Sequence, residues 1–371
     1  MRAVLAKYLR GGAKHRETER VEPLDNLRSS IASARRFIEG NVNSDGFWSD
    51  FLTLAGESVY WVTGYVGYAL ARGASERDDE QKRRLLQGVG ARLLERQGRD
   101  GGWGYGPGVP ADADSTSWCL LFLSKTGQQG AESRELALRF LLRHQSPLDG
   151  GFRTYATPRE VGRFMMLDAS ISFEGWSSSQ MCVTPVAAQA ISAAGSPVGV
   201  DKALDYVRRG QAADGYWEPY WWSERLYSTL SCMELLYSIG TNGDADILAR
   251  AQDWIARTQL PSGAWSDSPS ASGVPFSTAL ALRGLITAGS QRYSENLRRG
   301  VEWLLAGQLD DGSWSSHHIL RIPHPSTTEP WKQAVWKPDG KAINAVIKDH
   351  RRLYTTATAF LALSEFGERG I

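Results

Sequence analysis

The stretch QAADGYW, from Gln211 to Trp217, occurs in six variants along this chain. The five other copies are VNSDGFW (42–48), QGRDGGW (97–103), QSPLDGGF (145–152), QLPSGAW (259–265) and QLDDGSW (308–314). The copies recur at intervals of roughly 50 residues, and a repeat of that period indicates an array of one supersecondary unit. This repeated phrase therefore decides the fold.

The fourth copy shows what the unit contains. Residues 200–211 carry apolar side chains at i, i+3, i+4 and i+7, the pattern of an amphipathic helix with one face in water. The glycine of the phrase then ends that helix. A second, largely apolar segment from Ser228 to Gly240 predicts a buried helix, with Ser228 and Thr229 as its N-cap.

The other five repeats follow the same pattern, so each predicts one outer and one inner helix. The expected fold is all-α: an (α/α)6 barrel, or toroid, of six helix-pair repeats with inner and outer helical rings. Outer helices are expected at 25–40, 81–97, 133–145, 200–211, 247–259 and 295–308. Inner helices are expected at 58–72, 115–127, 184–195, 228–240, 277–289 and 355–367. We expect a single barrel over residues 25–371 and a flexible basic N-terminal tail over residues 1–24.

Composition excludes several classes of function. The formal net charge of +1 gives no basis for a nucleic-acid surface. No apolar run reaches the ~20 residues of a membrane span, so peripheral membrane contact through the basic tail is the remaining membrane interaction. Cys119, Cys182 and Cys232 lie in or beside apolar segments, as buried small hydrophobes do. A reducing, cytoplasmic location is therefore expected, whereas the oligomeric state is not indicated.

Two connections are much longer than the others. All inner helices begin at the same end of the ring, so the loops that lead into them surround one mouth. The loops at 153–183 and 315–354 belong to repeats three and six, which lie opposite each other. Loops beyond ~15 residues within a compact domain are usually functional, and we expect these two to meet over the mouth as a lid.

With the repeats laid out, the chain resembles the squalene–hopene cyclase and class II terpene cyclase family. The repeated Gln…Trp phrase is that family's signature, and the run ADADSTSWCLLFL (111–123) resembles its Asp-x-Asp-Asp-Thr motif followed by an apolar helix. The resemblance covers most of residues 80–315. It implies the barrel that carries the acid motif. Squalene–hopene-type enzymes carry two barrels. With one barrel, we expect a substrate that is shorter than squalene or is carried within the ring, or a second chain that completes the site.

The resemblance also implies a catalytic acid. Asp114 matches the middle aspartate, which in the family donates the initiating proton to an alkene or epoxide, and Asp112 matches the first. Two close carboxylates cannot both ionise cheaply, so one of them keeps a proton. Ser115 stands where the family usually has a third aspartate, and it can still hydrogen-bond a carboxyl. The alternative is that these residues only cap a helix.

Carbocations require aromatic faces, because ring quadrupoles stabilise a cation without reacting with it. The candidate substrate-binding aromatics lie on or next to the inner helices: Trp61, Trp118, Trp176, Trp221, Trp222 and Tyr227. Asp50, after the first repeated phrase, is expected near the mouth as a further carboxylate. Whether the 14 tryptophans line a cavity or fill it stays open at this point.

The long loop of repeat six is rich in basic residues. We expect Arg321, Lys337 and Arg352, with Trp331, to bind an anionic head group such as a diphosphate. Proton-initiated chemistry requires no cofactor, although magnesium is possible with a diphosphate substrate. The alternative is a solvated surface loop whose charges have no function.

Two further functions compete with a cyclase acting on an isoprenoid-like small molecule. One is a non-catalytic toroid that binds a lipid, a peptide or a partner protein. In that case Asp112 and Asp114 are ionised caps and side chains fill the ring. The other is a protein prenyltransferase β-like subunit. The sequence disfavours this one, because its cysteines lie within helices and lack the carboxylate partners of a zinc site.

Overall fold

The computed structural model describes residues 14–73, 79–168, 170–267, 272–287, 291–340 and 342–369. The inner helices are α2 (Tyr60–Arg72), α4 (Ala113–Lys125), α7 (Thr184–Ala193), α9 (Arg225–Ile239), α11 (Pro275–Thr287) and α13 (Leu353–Arg369). The outer helices are α1 (Lys14–Gly40), α3 (Glu80–Leu94), α5 (Ala131–His144), α8 (Val200–Arg209), α10 (Ala245–Arg257) and α12 (Ser294–Ala306). A short helix, α6 (Pro158–Phe164), lies in the long loop of repeat three.

The inner helices form a closed ring. Each packs against the next inner helix along the chain, and α13 packs against α2. The predicted (α/α)6 barrel is therefore confirmed. Helix α1 begins at Lys14, so that residues 14–24 of the predicted tail are helical, while residues 1–13 lie outside the described residues. None of the helices within the described ranges is long and apolar enough to cross a membrane.

Each repeated phrase joins its outer helix to its inner helix through the hydrogen bonds of its final aromatic residue. In five repeats the indole Nε1 donates to the carbonyl ten residues earlier, at 2.6–2.8 Å. In all six, the backbone N–H of the final aromatic residue donates to a threonine hydroxyl of the inner helix, at 2.8–3.4 Å. These threonines are Thr63, Thr116, Thr184, Thr229, Thr278 and Thr356.

The fourth inner helix begins earlier than predicted. Helix α9 begins at Arg225, three residues before Ser228, and Glu224 is its N-cap residue. Ser228 and Thr229 therefore lie inside the first turns rather than at the cap. The Thr229 hydroxyl instead accepts from the backbone N–H of Trp217 at 3.2 Å, so it joins the two helices of the repeat.

The glutamine of the phrase ties neighbouring repeats together. In five repeats its Nε2 donates to a glycine carbonyl within the phrase and to a backbone carbonyl near the start of, or within, the next outer helix. In the last repeat, Gln308 donates to the carbonyl of Ser30 in α1 at 3.0 Å. This bond closes the ring between the two ends of the barrel sequence.

Short strands, which the sequence pattern does not predict, shape the loops at the mouth. Strands β1 (Asp50–Thr53) and β2 (Gly56–Ser58) form an antiparallel hairpin, and β3 (Trp103–Gly104) pairs with β4 (Ala111–Asp112). In the loop of repeat six, β5 (His318–Ile322) pairs antiparallel with β7 (Ala345–Lys348), which pairs parallel with β6 (Lys337–Pro338).

The two long loops meet, as predicted. The backbone N–H of Gly175 donates to the carbonyl of Pro325 at 2.8 Å, and the indole of Trp176 donates to the carbonyl of Pro323 at 3.2 Å. The Tyr220 hydroxyl, in the loop before α9, donates to the carbonyl of Thr327 at 2.8 Å. Loops from opposite sides of the ring therefore form one continuous cover over the mouth.

Candidate active site

In each repeat, the residue two positions before the shared threonine lies at the centre of the inner ring. We call this the axial position. Five axial residues are Trp61, Cys182, Tyr227, Phe276 and Tyr354, all of them buried. Rings of neighbouring repeats touch, with centroids 5.2 Å apart for Trp61 and Tyr354 and 5.9 Å apart for Phe276 and Tyr354. The sixth axial residue is Asp114, so that one acid faces a largely aromatic ring.

Asp114 lies in the first turn of α4 and is 9% exposed. Its Oδ1 atom has no hydrogen-bond partner among the residues that the structure describes. Burial raises the pKa of Asp114 well above its ordinary value, and the negative charge of Asp112 raises it further. The nearby Trp61 indole lowers this pKa by a smaller amount. Burial and the neighbouring carboxylate therefore both favour the protonated form of Asp114.

Asp112 has a different role, which its hydrogen bonds define. It is the N-cap residue of α4, and it accepts from the backbone N–H and from the hydroxyl of Ser115, each at 2.7 Å. Burial raises the pKa of Asp112 to about 6, and the two bonds from Ser115 oppose that rise. Ser115 thus holds Asp112 in place, and Asp112 rather than Asp114 caps α4.

A cavity of about 710 Å³ of space free of protein atoms opens beside this acid pair. The aromatic residues that line it are Trp61, Tyr105, Tyr155, Trp176 and Trp221. Apolar side chains complete the wall: Leu54 from the β1–β2 turn, Val161 and Met165 from the loop of repeat three, and Leu320 and Ile322 from β5. The cavity therefore lies between the inner ring and the cover formed by the long loops.

The predicted aromatic residues divide into two groups. Trp61, Trp176 and Trp221 line the cavity. The other three pack in the core beneath it, because their rings fill the narrow axis of the barrel. Trp222 stacks on Tyr227 with ring centroids 4.0 Å apart, and Trp118 packs edge-on against Tyr65 at 4.8 Å. The tryptophans thus both line the cavity and fill the ring.

Sequence reasoning missed Tyr105 and Tyr155, which line the cavity. Both follow a repeated phrase by two or three residues, so the rule that these loops surround the mouth was a signal that could have found them. The same region fixes Trp221, whose indole donates to the Thr154 hydroxyl at 2.7 Å and to the Gln180 side-chain oxygen at 2.8 Å.

Asp50 does not face the cavity, so its predicted place among the substrate-binding residues is corrected. The side chain is fully buried and accepts backbone N–H groups of Arg351 and Leu353, each at 2.9 Å. These donors lie at the start of α13, whose positive N-terminal end favours a carboxylate. Asp50 therefore caps a helix that is distant in the sequence.

The predicted basic rim is corrected in the same way. Arg321 is buried and donates to the backbone carbonyls of Pro219 and Trp222, while Arg352 pairs with Asp311 at 2.7 Å. Lys337 is exposed on β6, and Trp331 lines a separate pocket beside Tyr220. None of these four side chains lines the cavity, and the two arginines are held by partners in other segments of the chain.

Across the part of the chain that the structure describes, no group of three or more His, Cys, Asp or Glu residues is arranged to hold a metal ion.

Comparison with protein families matches two parts of the chain. Residues 59–154 match the prenyltransferase alpha-alpha toroid domain, and residues 182–327 match the squalene-hopene cyclase C-terminal domain. Drimenyl diphosphate synthase from Streptantibioticus cattleyicolor is 31% identical over 205 residues, which are 52% of this chain and 35% of that protein. Terpentedienyl-diphosphate synthase from Kitasatospora griseola is 26% identical over 195 residues, which are 50% of this chain and 33% of that protein. The chain thus spans about a third of the length of these curated relatives.

Solved structures match nearly the whole chain. A variant of the type II terpene cyclase MstE from Scytonema, bound to its substrate geranylgeranyl dihydroxybenzoate, is 30% identical with a TM-score of 0.86. That match covers 93% of this chain and 99% of the other. A protein from Actinoplanes is also 30% identical, with a TM-score of 0.83 over 91% of this chain and 99% of its own. The chain therefore belongs to the class II, or type II, terpene cyclase family.

Proposed function

We propose that this protein is a proton-initiated terpene cyclase in which Asp114 protonates the terminal double bond or epoxide of a bound polyene. One observation carries the proposal: Asp114 is a buried carboxyl group that lines an aromatic cavity beside a second carboxyl group, and Asp112 rather than Asp114 caps α4. A carboxylic acid in such surroundings keeps its proton until a reacting group takes it. The alternative of a non-catalytic toroid is disfavoured, because it requires Asp114 to be an ionised cap.

The reaction is an isomerisation, so its atoms balance without a cofactor. The O–H bond of Asp114 breaks as a C–H bond forms at the substrate terminus, and a carbocation results. Each further double bond attacks the cation and closes a ring, until a C–H proton passes to water or to another base and leaves a new double bond. Asp114 then takes up a proton, which restores the acid. The Trp61 indole favours the ionised form of Asp114 and so stabilises the carboxylate that the first step leaves.

The residues around the cavity suit a cation that moves along a chain. Trp61, Trp176 and Trp221 present ring faces that attract positive charge and contain no strong nucleophile. The cover of two long loops limits the access of water, which would otherwise capture the cation. These features support an isoprenoid substrate of farnesyl or geranylgeranyl length, the latter being the chain of the ligand bound to MstE.

The head group is an open part of the proposal that the assay must decide. Among the described residues, no lysine or arginine lines the cavity, so an anionic head group would have to lie towards the opening. A diphosphate is the product named for the drimenyl relative, whereas MstE binds an aromatic dihydroxybenzoate. We therefore propose the polyene chain as the common feature and test both kinds of head group.

The test is a product assay with purified protein and its Asp114→Asn variant. Farnesyl diphosphate, geranylgeranyl diphosphate and geranylgeranyl dihydroxybenzoate are supplied separately, and products are analysed by mass spectrometry, after dephosphorylation for the diphosphates. Asp201→Asn, at an exposed position in the first turn of α8, is the matched control. The proposal expects a cyclic isomer that only Asp114→Asn abolishes. Turnover by Asp114→Asn at the wild-type rate would exclude Asp114 as the proton donor, and no turnover of any substrate by the wild type would count against the activity.

A further inference from the structure

A funnel that is open to the outside lies at the end of the barrel opposite the cover. The C-terminal ends of the inner helices surround it, and its atom-free space is about 1400 Å³, open solvent included. Its lining mixes apolar residues, such as Leu121 and Ile286, with polar and charged ones that include Tyr68, Arg72, Lys125, Glu234 and Glu365. Neither of the two long loops of the cover contributes a residue to this lining.

Four charged side chains cross the bottom of the funnel, and we call them the ion-pair quartet. Arg72 contacts Glu234 at 3.2 Å and Glu365 at 2.9 Å. Arg283 contacts the same two carboxylates, at 2.6 Å and 3.2 Å. Each cation thus bridges both anions, and the four residues come from four different inner helices. Arg283 is only 4% exposed, so the quartet extends from the funnel wall into the interior of the ring.

An aromatic layer lies next to the axial ring on its inner-helix side. The Tyr65 ring stacks on Tyr354, with centroids 3.9 Å apart and planes 11° apart. Burial raises the pKa of the Tyr65 hydroxyl to about 12; among the charges of the quartet, Arg283 lowers this pKa, while Glu234 and Glu365 raise it. The hydroxyl is hydrogen-bonded to that of Thr358 at 2.6 Å.

A chain of ring contacts connects this layer to the funnel. Trp118 packs against Tyr65 at 4.8 Å on one side and against Tyr68 at 5.7 Å on the other. Tyr68 lines the funnel, and its hydroxyl accepts from Arg72 at 3.2 Å. Three side chains, Tyr68, Trp118 and Tyr65, therefore lead from the funnel to the axial residue Tyr354.

The chemistry of this floor explains why it is charged. Apolar residues of similar volume are often as stabilising as a buried ion pair, so stability alone does not account for Arg283. The partition between the funnel and the axial ring needs one face that tolerates water and one that tolerates a hydrocarbon cation. The quartet supplies the first face and Tyr65 with Trp118 supplies the second. The mutual ion pairs fix the two arginine side chains, which are long and would be mobile without these partners.

We propose that the ion-pair quartet of Arg72, Glu234, Arg283 and Glu365 closes the floor of the reaction chamber against water, and so directs the final carbocation to proton loss. This inference rests on the proposed cyclase function. Without the floor, a water oxygen forms a bond to the cationic carbon, and one of its protons passes to a second water molecule. The product is then a cyclic alcohol rather than a cyclic alkene. The quartet residues act by position and do not touch the substrate.

The test compares products formed in water labelled with oxygen-18. The double variant Arg283→Met with Glu365→Gln removes one charge of each sign and leaves the Arg72–Glu234 pair. The matched control is Arg298→Met with Glu302→Gln, an ion pair at 2.6 Å on the exposed face of α12. We expect the ratio of labelled alcohol to alkene to rise about tenfold in the quartet variant, a change of about 1.4 kcal/mol in relative barriers. The control should keep the wild-type ratio.

Several outcomes would overturn the inference. One is a folded quartet variant that cyclises the substrate with an unchanged alcohol-to-alkene ratio. Another is a wild-type product that contains an oxygen atom added from water to the last carbocation. If the double variant does not fold, Arg72→Met replaces it, because Arg72 is partly exposed on the funnel wall and its loss opens the same floor. Failure of the wild type to form any cyclic product would instead count against the cyclase function itself.

Discussion

The hydroxyl of Ser115 donates a 2.7 Å hydrogen bond to Asp112, so the residue that replaces the family's third aspartate holds the first one. The acid site therefore contains two carboxyl groups rather than three. Asp112 is tied to the start of α4, and Asp114, two residues later, is left without a hydrogen-bond partner for its Oδ1 among the described residues. The departure at position 115 thus preserves the division of roles that proton-initiated catalysis requires.

Asp114→Asn should remove cyclase activity by at least about 10²–10⁴-fold, the usual contribution of a general acid, without destabilising the protein. Burial raises the pKa of Asp114, so its contribution to stability is present at low pH and is lost as pH rises through the folded-state pKa. The neutral amide avoids that loss. Urea unfolding at pH 6 and pH 9 should show a variant as stable as the wild type, or more stable at pH 9. A variant that is less stable at pH 9 would contradict a protonated Asp114.

Ser115→Ala should shift the pH dependence of the reaction upwards. The two bonds from Ser115 lower the pKa of Asp112, which burial raises to about 6. Removal of the hydroxyl takes away one of the bonds that stabilise the carboxylate, so this pKa rises further. The measurement is the pH–rate profile, in which an inflection near pH 6 should move to higher pH. Ser117→Ala, which affects a hydroxyl bonded only within α4, is the control and should leave the inflection in place.

Glu224→Gln should reduce the fall in the free energy of unfolding that accompanies a rise from acidic to alkaline pH. Burial raises the pKa of Glu224 from 4.5 to about 7, and the neighbouring charge of Asp267 contributes to the rise. Its stabilising contribution is therefore complete below about pH 4.5 and is lost as pH rises through about 7, by roughly 3 kcal/mol at full ionisation. Urea unfolding at pH 5 and pH 8 measures this. A wild type whose free energy of unfolding falls no more steeply than that of the variant would refute it.

Asp50→Ala should destabilise the protein while leaving the identity of the products unchanged. The substitution leaves the buried N–H of Leu353 without an acceptor, at about 1–3 kcal/mol, and also removes the acceptor of the partly buried N–H of Arg351. Chemical denaturation measures the loss, and the product assay tests the second half of the prediction. Asp45→Ala, near the same hairpin but exposed, is the control. A change in product at unchanged stability would instead support the original prediction that Asp50 binds the substrate.

Trp265→Phe should cost about 1 kcal/mol, the net worth of one hydrogen bond, together with the loss of some packing. The indole of Trp265 donates to the carbonyl of Ile255 at 2.6 Å, whereas Phe152 occupies the equivalent place in repeat three without such a bond. The barrel therefore already tolerates phenylalanine at this position. Thermal unfolding of Trp265→Phe measures the cost. A loss as large as that expected for Trp265→Ala would show that the hydrogen bond is not the main contribution of the indole.

The repeated phrase predicted the barrel because its hydrogen bonds are local and recur. Trp217 bonds to the carbonyl of Val207 ten residues earlier and to Thr229 twelve residues later, and each of these residues is visible in one repeat. The acid was predictable for a related reason. Asp114 occupies a position in the repeat at which the other five copies carry Trp, Cys, Tyr, Phe and Tyr, so it stands out once the threonines are aligned.

The amino-acid sequence by itself therefore determined three features. These are the ring of helix pairs, the end of that ring that carries the long loops, and the acid that faces its axis. Only the tertiary structure decided which of the remaining polar and aromatic side chains reach the cavity. Asp50 binds the N–H of Leu353 across 303 residues, and Trp222 packs on Tyr227 instead of facing the substrate space. Such contacts depend on how loops from distant repeats fold over one another, and no periodic pattern encodes them, because their partners become neighbours only when the ring closes.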